Sequence, residues 1–289
     1  MRRRVSRWHP TRYLPTAEQR TLLERWLPES RLVADHSWGL VENAVWELTS
    51  SAGRFIAKFG GPSDHHLARE IHAHLHWLLP WTTEGRAPEL VHHDLEANMV
   101  LTRFLPGDLV LGSPYQNDPA VFEQAGALLA QLHDQPSASD PDHEQRENQK
   151  TLAWLDRPHR IDARPVARLR AEIASWPTPA TTLVPTHGDW QPRNWLIHQG
   201  TVSVIDFGKC ELQPAMADLT RLAVQDFAGD PQLERTFLTG YGPDPREPEA
   251  WHRMQVRSAV STAAWAHQVG ATEFEEQGLT MVRAVLASR

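Results

Sequence analysis

Apolar residues recur at helical spacing in several stretches of the chain. In residues 64–79 they are Leu67, Ile71, Leu75 and Leu78, which lie three or four positions apart and therefore share one face of a helix. The same periodicity and the capping residues before it favour helices in six further stretches: residues 16–28, 118–133, 166–176, 214–227, 248–268 and 272–287. Most of the predicted helices lie in the second half of the chain.

Paired runs of β-favouring residues predict two hairpins. Residues 40–59 contain two such runs around a turn of small polar residues. Residues 195–206 contain two shorter runs around a turn centred on Gly200. A further strand over residues 98–104 precedes a Pro-Gly pair, and we expect a hinge there.

The segment 134–150 follows neither pattern. It has almost no apolar residues, which predicts a mobile loop or the solvated start of a helix. With strands mainly before the hinge and helices mainly after it, we predict an α+β fold of two lobes. A small β-rich lobe would span residues 1–104, and a larger, mainly helical lobe would span residues 105–289.

Composition and charge narrow the functional classes. The 289 residues carry a net charge of −7, which disfavours nucleic-acid binding because that binding requires basic residues on phosphates. No apolar run approaches the ~20 residues that cross a bilayer. The basic start lacks the apolar core of a secretory signal, and the single Cys210 cannot form an internal disulfide. We therefore expect a cytoplasmic monomer or homodimer that binds neither membrane nor nucleic acid.

Three polar residues have a spacing suited to a metal and phosphate site. Asp189 follows an extended segment, Asn194 begins the first strand of the second hairpin, and Asp206 ends its second strand. Antiparallel pairing brings these two strand ends together. Carboxylate and amide oxygens suit Mg²⁺, and phosphoryl transfer needs that ion and a carboxylate that accepts the proton of the acceptor hydroxyl. Asp189 is the candidate base, and Asn194 and Asp206 are the candidate metal ligands.

The first part of the chain offers groups for a nucleotide. Lys58 lies on the second strand of the first hairpin, and Glu70 lies in the following helix. An ion pair between them would hold the lysine toward the α- and β-phosphates. The hinge around Arg103 and Leu105 would present backbone groups to adenine. The expected cofactors are ATP, with GTP as an alternative, and Mg²⁺.

The stretches HGDWQPRN and IDFG, with the upstream lysine and glutamate, resemble the aminoglycoside phosphotransferase and choline kinase-like family, whose fold is similar to that of protein kinases. The resemblance extends through FLPGD, LLAQLH and ADLTRL and so covers nearly the whole chain. It implies a bilobal protein-kinase-like fold and an ATP-dependent phosphotransferase. It also implies these residue roles: a base at Asp189, metal ligands at Asn194 and Asp206, a phosphate-binding lysine at Lys58 and its partner Glu70.

The resemblance implies supporting roles in and near the same loop. His187 and Asp218 would hold the catalytic loop by hydrogen bonds. Trp190 and Arg193 would line the acceptor side, where an aromatic ring and a charge can contact a sugar or a polar metabolite.

The chain departs from protein kinases in two places. Residues 36–48, where a phosphate-binding loop is expected, contain one glycine in place of GxGxxG, so Ser37 and Gly39 are the candidates for phosphate contacts. Only a short segment separates Gly208 from Asp218, and no APE motif follows. That leaves no room for the segment with which protein kinases dock peptides, so a small acceptor is favoured.

The expected activity is transfer of the γ-phosphate of ATP to a hydroxyl of an aminoglycoside-type antibiotic or a similar polar metabolite. The negative net charge mildly favours a cationic acceptor. A choline, homoserine or sugar kinase and a non-catalytic nucleotide-binding module remain alternatives. The sixteen histidines match no zinc-binding motif, and the acidic residues Glu273, Glu275 and Glu276 are expected to face water.

Overall fold

The structure is a computed structural model that describes residues 13–37 and 42–287. Its strands are β1 (Arg31–Asp35), β2 (Asn43–Ser50), β3 (Gly53–Gly60), β4 (Leu90–Asp94), β5 (Met99–Arg103), β6 (Asp108–Leu109), β7 (Ala138–Asp140), β8 (Thr181–Thr186), β9 (Trp195–His198), β10 (Thr201–Val204) and β11 (Glu211–Gln213). Its helices are α1 (Ala17–Trp26), α2 (His66–His76), α3 (Leu79–Thr83), α4 (Pro119–His133), α5 (His143–Leu155), α6 (Ala163–Ser175), α7 (Leu219–Leu222), α8 (Pro231–Tyr241), α9 (Pro248–Val269) and α10 (Thr272–Ala287). Among the described residues, no helix is both long and apolar enough to cross a membrane.

The chain divides into two compact units that each use several segments. The first contains Met1–Gln135, His187–Glu211 and Gln225–Gly242. The second contains Pro136–Thr186, Leu212–Val224 and Pro243–Arg289. The lobe boundary at residue 104 remains a prediction.

A five-stranded antiparallel sheet in the order β1-β2-β3-β5-β4 lies in the first unit. Its β2–β3 pair is the hairpin predicted over residues 40–59, while β1 and β4 were not predicted. Along β3, Phe55, Ala57 and Phe59 alternate into a hydrophobic core. Since successive strand residues point to opposite faces, Lys58 lies on the face away from that core.

The second predicted hairpin is also present. In it β9 and β10 pair antiparallel, with His198 opposite Thr201 and Trp195 opposite Val204. Beyond the last pair, the Ile205 amide donates to the Asn194 carbonyl at 3.0 Å. This hydrogen bond continues the ladder, so the residues that flank the two strands meet at one end of the hairpin.

The second unit is mainly helical. The largest helix contact in this unit is between α9 and α10, and a Cβ on Gly278 would lie 2.4 Å from the Ala263 amide nitrogen. Glycine at that position therefore allows α10 to approach α9 closely. Buried residues of α5, α6, α9 and α10 form one core, which includes Leu169, Val256 and Val260.

The prediction for residues 134–150 is right about a helix start, because α5 begins at His143, but wrong about full exposure of that start to solvent. The segment contains strand β7 and the first turns of α5, and Glu144 and Asn148 of α5 are buried. Glu144 accepts hydrogen bonds from Arg253 Nε at 2.8 Å and Arg257 Nη2 at 2.6 Å. The polar composition of this segment predicted solvent exposure. That prediction failed because the partners of these polar side chains lie on α9, which is distant in sequence. Buried charges need such partners, so the cluster ties α5 to α9.

The acidic cluster near the C-terminus is likewise only partly exposed. Glu275 is buried, with its carboxylate 3.1 Å from Arg160 Nη1 and 2.9 Å from His267 Nδ1. The expectation that this residue faces water is therefore wrong, because two basic side chains of the same unit enclose it.

Helix α8 was missed, and the helix predicted over residues 214–227 is broken. That stretch holds a 3₁₀ turn, the short α7 and a π-helical turn, Ala223–Phe227. Helix α8 packs against α4 so closely that a Cβ on Gly240 would lie 1.9 Å from the Glu123 carbonyl oxygen, and one on Gly126 would lie 2.1 Å from the Phe237 carbonyl oxygen. Gly240 lowers the intrinsic helix propensity of its stretch, and α8 was not predicted from the sequence. In the fold, the absence of a side chain at Gly240 allows the close contact of α8 with α4.

Asp226 in the π-helical turn predicts a pH dependence of stability. Its Oδ2 is buried without a hydrogen-bond partner in the described part of the chain, and burial raises the pKa of this carboxyl to about 6. Between the ordinary aspartate pKa, about 4, and this value, the folded state binds more protons than the unfolded state. The free energy of unfolding should therefore fall as pH rises from about 4 to about 6.

Asp226→Asn should remove this part of the pH dependence. We expect the variant to be more stable than the wild type at pH 7, with a difference that shrinks on acidification to pH 4. Urea unfolding of both proteins at several pH values measures the difference. A constant difference across that range would show that Asp226 does not titrate abnormally.

Candidate active site

The site begins in the loop that follows β8. Gly188 has φ +75, and a Cβ there would lie 2.3 Å from the Lys209 carbonyl oxygen. Glycine therefore permits both the left-handed turn and the close approach of the loop to residue 209. The Asp189 amide donates to His187 Nδ1 at 3.3 Å, so His187 carries its proton on Nε2, which donates to the Ile205 carbonyl at 3.1 Å. His187 thus joins the loop to the end of the second hairpin.

Asp189 is almost fully buried and is surrounded by donors. Its Oδ1 accepts a hydrogen bond from Gln191 Nε2, and its Oδ2 accepts one from Arg193 Nη2 and another from Lys209 Nζ at 3.2 Å. The Arg193 and Lys209 side chains are 31% and 38% exposed, against 2% for Asp189. The two cations therefore lie on the solvent side of the carboxylate.

Asn194 is oriented by the backbone of the same loop. Its Nδ2 donates to the Asp189 carbonyl at 2.8 Å. Because the amide nitrogen is used in this contact, the side-chain oxygen Oδ1 is the atom that remains for a ligand. Asn194 is buried and ends the 3₁₀ turn Pro192–Asn194 directly before β9.

Asp206 follows β10 in an uncommon backbone conformation. Its φ is +70, in the left-handed region that costs a non-glycine residue free energy. Its Oδ1 lies 3.7 Å from Lys58 Nζ, and its side chain is 53% exposed. Desolvation alone would raise the pKa of this carboxyl, but the surrounding positive groups, first among them Lys58, together outweigh it, and the pKa lies below the ordinary value.

Lys58 and Glu70 form the predicted ion pair. Lys58 Nζ lies 2.8 Å from both carboxylate oxygens of Glu70. Burial lowers the pKa of Lys58, but the charges of Glu70 and Asp206 outweigh that effect and leave the pKa above its ordinary value. The ammonium group is therefore charged and is shared between a helix carboxylate and the carboxylate at the end of the second hairpin.

Other predicted nucleotide-binding residues have less specific surroundings. Ser37 Oγ accepts a hydrogen bond from the Val45 amide at 2.9 Å, and Gly39 lies outside the described residues. The Arg103 guanidinium pairs with Glu89 at 3.0 Å on the exposed side of β5. Leu105 is half-buried in the irregular segment after β5. The nucleotide roles of these four residues remain predictions.

Trp190 does not line an acceptor surface. Its side chain is 1% exposed and packs against Trp81 and Trp195, with ring centroids 5.8 and 5.6 Å away. The expectation from its place beside Asp189 is wrong, because the backbone turns the indole into the core. Asp218, the other predicted support of the loop, is buried in the second unit, and its role remains a prediction.

Lys209 and Gln191 were not singled out from the sequence. Lys209 directly follows the IDFG stretch, and its contact with Asp189 arises only when the two loops meet. Gln191 lies two positions after Asp189, and this closeness in sequence was the signal that could have predicted its contact with the Asp189 carboxylate. In the described residues, no group of three or more His, Cys, Asp and Glu side chains is arranged to hold a metal ion.

Comparisons with known proteins identify the family of the chain. The sequence profile described as the phosphotransferase enzyme family matches residues 35–255. No curated protein matches the chain in sequence.

Three solved structures illustrate the similarity of fold. A thermostable mutant of aminoglycoside phosphotransferase APH(4)-Ia, in a ternary complex with ADP and hygromycin B, is 12% identical with a TM-score of 0.67, covering 94% of this chain and 99% of that one. Macrolide 2'-phosphotransferase MphH from Brachybacterium faecium is 16% identical with a TM-score of 0.63, covering 91% and 95%. Choline kinase LicA from Streptococcus pneumoniae is 14% identical with a TM-score of 0.60, covering 95% and 100%.

These similarities confirm the predicted α+β fold class, a protein-kinase-like fold with a β-rich and a helical part. The profile match covers well over half of the chain and includes every described residue of the site. The chain therefore belongs to the phosphotransferase enzyme family.

Proposed function

We propose that the protein is a small-molecule kinase that transfers the γ-phosphoryl group of ATP to a hydroxyl group, with Mg²⁺ as the metal ion. The observation that carries this proposal is a network of contacts. Lys58 contacts Glu70 and Asp206, and Asn194 binds the Asp189 carbonyl. His187 connects these two groups, because it binds the end of the second hairpin. Phosphoryl transfer depends mainly on positioning and charge stabilisation, which such a network supplies.

Asp189 is proposed as the general base. The acceptor hydroxyl donates its proton to this carboxylate while the acceptor oxygen bonds to the γ-phosphorus and the bond from phosphorus to the ADP oxygen breaks. Arg193 and Lys209 hold the carboxylate in place and add positive charge beside the transferred group.

Asn194 and Asp206 are proposed to hold Mg²⁺. The donor set fits a hard cation, because one neutral and one charged oxygen are available and the Asn194 nitrogen is already used on the Asp189 carbonyl. The exposed Asp206 carboxylate leaves room for phosphate oxygens and waters to complete the coordination shell. When bound, the ion would neutralise charge on the phosphates during transfer.

Lys58 is proposed to bind the α- and β-phosphates. Glu70 fixes the ammonium group from the helix side, and the donor that faces Asp206 at 3.7 Å is the one that we propose for a phosphate oxygen. Backbone groups near Leu105 are proposed for adenine, or for guanine if GTP is used. Ser37 and Gly39 are proposed for phosphate contacts.

An aminoglycoside-type antibiotic is the acceptor class that we favour. Two of the compared enzymes are antibiotic phosphotransferases, and one of these structures contains hygromycin B. Choline is the main alternative, because a choline kinase has a similar fold. Both acceptors are cationic, which agrees with the net charge of −7.

The proposal is tested by a screen for acceptor-dependent release of ADP from ATP, repeated with GTP. The panel contains aminoglycosides, macrolides, choline, homoserine, sugars and a peptide mixture, each with and without Mg²⁺. We expect one small-molecule class to stimulate ADP release at least tenfold, only in the presence of Mg²⁺. Mass spectrometry of the acceptor should show the added phosphoryl group.

Two outcomes would contradict the proposal. Tight nucleotide binding without turnover for any acceptor would support a non-catalytic module. Stimulation by peptides alone would support a protein kinase, in spite of the short segment between Gly208 and Asp218.

A further inference from the structure

One face of helix α2 meets the segment that carries Asp206. His66, Glu70 and His74 are spaced four positions apart, which places them on the same side of the helix. Glu70 binds Lys58, as described above. The two histidines contact the residues that immediately follow Asp206, so this face spans the whole turn formed by residues 206–208.

His66 binds the glycine of the turn. Its Nδ1 lies 2.9 Å from the Gly208 carbonyl oxygen. A carbonyl only accepts, so Nδ1 carries the proton and donates. The approach is close, since a Cβ on Gly208 would lie 3.0 Å from His66 Cβ.

His74 packs against the aromatic residue of the turn. The His74 and Phe207 rings meet edge to face, with centroids 5.4 Å apart and an interplanar angle of 81°. Phe207 is fully buried, and both ring nitrogens of His74 are buried without a hydrogen-bond partner in the described part of the structure. Burial and the nearby Lys58 charge lower the pKa of His74 to about 3. His74 is thus a neutral ring at physiological pH and acts here as an apolar packing group.

The turn needs such support because its first residue is strained. Asp206 has φ +70, a conformation that persists only where surrounding contacts impose it. His187 fixes the backbone before Asp206 through the Ile205 carbonyl. His66 and His74 fix the two residues after it. Asp206 itself touches Lys58, which α2 holds through Glu70.

We propose that His66 and His74 are positioning residues that hold the 206–208 turn, and thereby the Asp206 carboxylate, against the Lys58–Glu70 pair. They act by different means, since His66 contributes a hydrogen bond and His74 contributes packing. The expected effect on Mg²⁺-dependent nucleotide binding rests on the proposed function. The positioning of the 206–208 turn does not, because it is a property of the fold.

Four variants separate the two means of support. His66→Ala and His66→Leu both remove the donor to Gly208, whereas His74→Ala removes the packing and His74→Leu retains apolar volume. We expect His66→Ala, His66→Leu and His74→Ala to raise the Mg²⁺ concentration for half-maximal nucleotide binding by about 2- to 10-fold, the range expected for losing one hydrogen bond or a comparable contact. His74→Leu should remain within twofold of the wild type.

Amide hydrogen exchange supplies a readout that depends on neither metal nor activity. Exchange in the peptide covering residues 205–210 should accelerate in the three impaired variants and remain slow in His74→Leu. The matched control is His72→Ala, on the same helix, whose ring packs on His76 and Trp77. The control should leave both Mg²⁺ dependence and exchange unchanged.

The outcomes distinguish this inference from the proposed function. If the wild type binds Mg²⁺ and nucleotide and all variants match it in binding and exchange, the positioning role is wrong. If His74→Leu is as impaired as His74→Ala, His74 does not act by packing. If the wild type itself binds no nucleotide with Mg²⁺, the proposed function fails, and the exchange data alone decide whether the histidines hold the turn.

Discussion

Replacing Asp189 by asparagine should lower kcat by about 10²- to 10⁴-fold, the typical contribution of a general base. Asparagine keeps the shape of the side chain but cannot accept the hydroxyl proton. Nucleotide binding should change little, because Lys58, Asn194 and Asp206 are unaltered. Arg193 and Lys209 lose their carboxylate, but both side chains reach solvent, so the fold should tolerate the change.

Steady-state kinetics with the acceptor found in the screen measure this effect, and calorimetry measures nucleotide affinity. Asp162→Asn is the matched control, because Asp162 is exposed and its side chain caps no helix. It should retain full turnover. A fully active Asp189→Asn protein would remove Asp189 from the role of base.

Replacing Lys58 by methionine should both weaken nucleotide binding and destabilise the fold. Loss of one charged hydrogen bond to phosphate corresponds to about a 10- to 100-fold lower nucleotide affinity. In addition, Glu70 would be left as a buried carboxylate without its ammonium partner, which typically costs about 3–5 kcal/mol of unfolding free energy. Glu70 is 3% exposed, so solvent cannot replace the lost partner.

A double variant, Lys58→Met with Glu70→Gln, separates the two effects. The neutral amide removes the unpaired charge, so most of the stability should return, whereas nucleotide affinity should stay low. Urea unfolding and calorimetry on the wild type, both single variants and the double variant form a complete cycle. Recovery of nucleotide affinity in the double variant would contradict phosphate binding by Lys58.

The parts of the site that could be predicted share a local cause. Alternation along β3 placed Lys58 on the face away from the core, and helical spacing placed Glu70 in the next element. The second hairpin determined that Asn194 and Asp206 flank its paired ends. In each case, a short stretch of sequence with a regular period fixes the direction of the side chain.

The parts that could not be predicted depend on which segments meet. Lys209 binds Asp189 because Gly188 allows two loops to touch, and Glu144 is buried because α9 supplies two arginines. Trp190 follows Asp189 directly and was therefore expected on the acceptor side, yet its side chain is buried in the core. Composition reports the polarity of a segment but not the partner that would satisfy it in the interior.

The sequence by itself therefore determined the chemical groups of the proposed reaction, the two hairpins and most of the helices, because periodicity and turn residues act over a few positions. Only the tertiary structure decided how those groups are held. The left-handed Asp206, the contacts of His66 and His74 with the turn, and the glycine contacts of α8 with α4 join residues that are distant along the chain. Such contacts arise from the packing of whole elements, which no local pattern encodes.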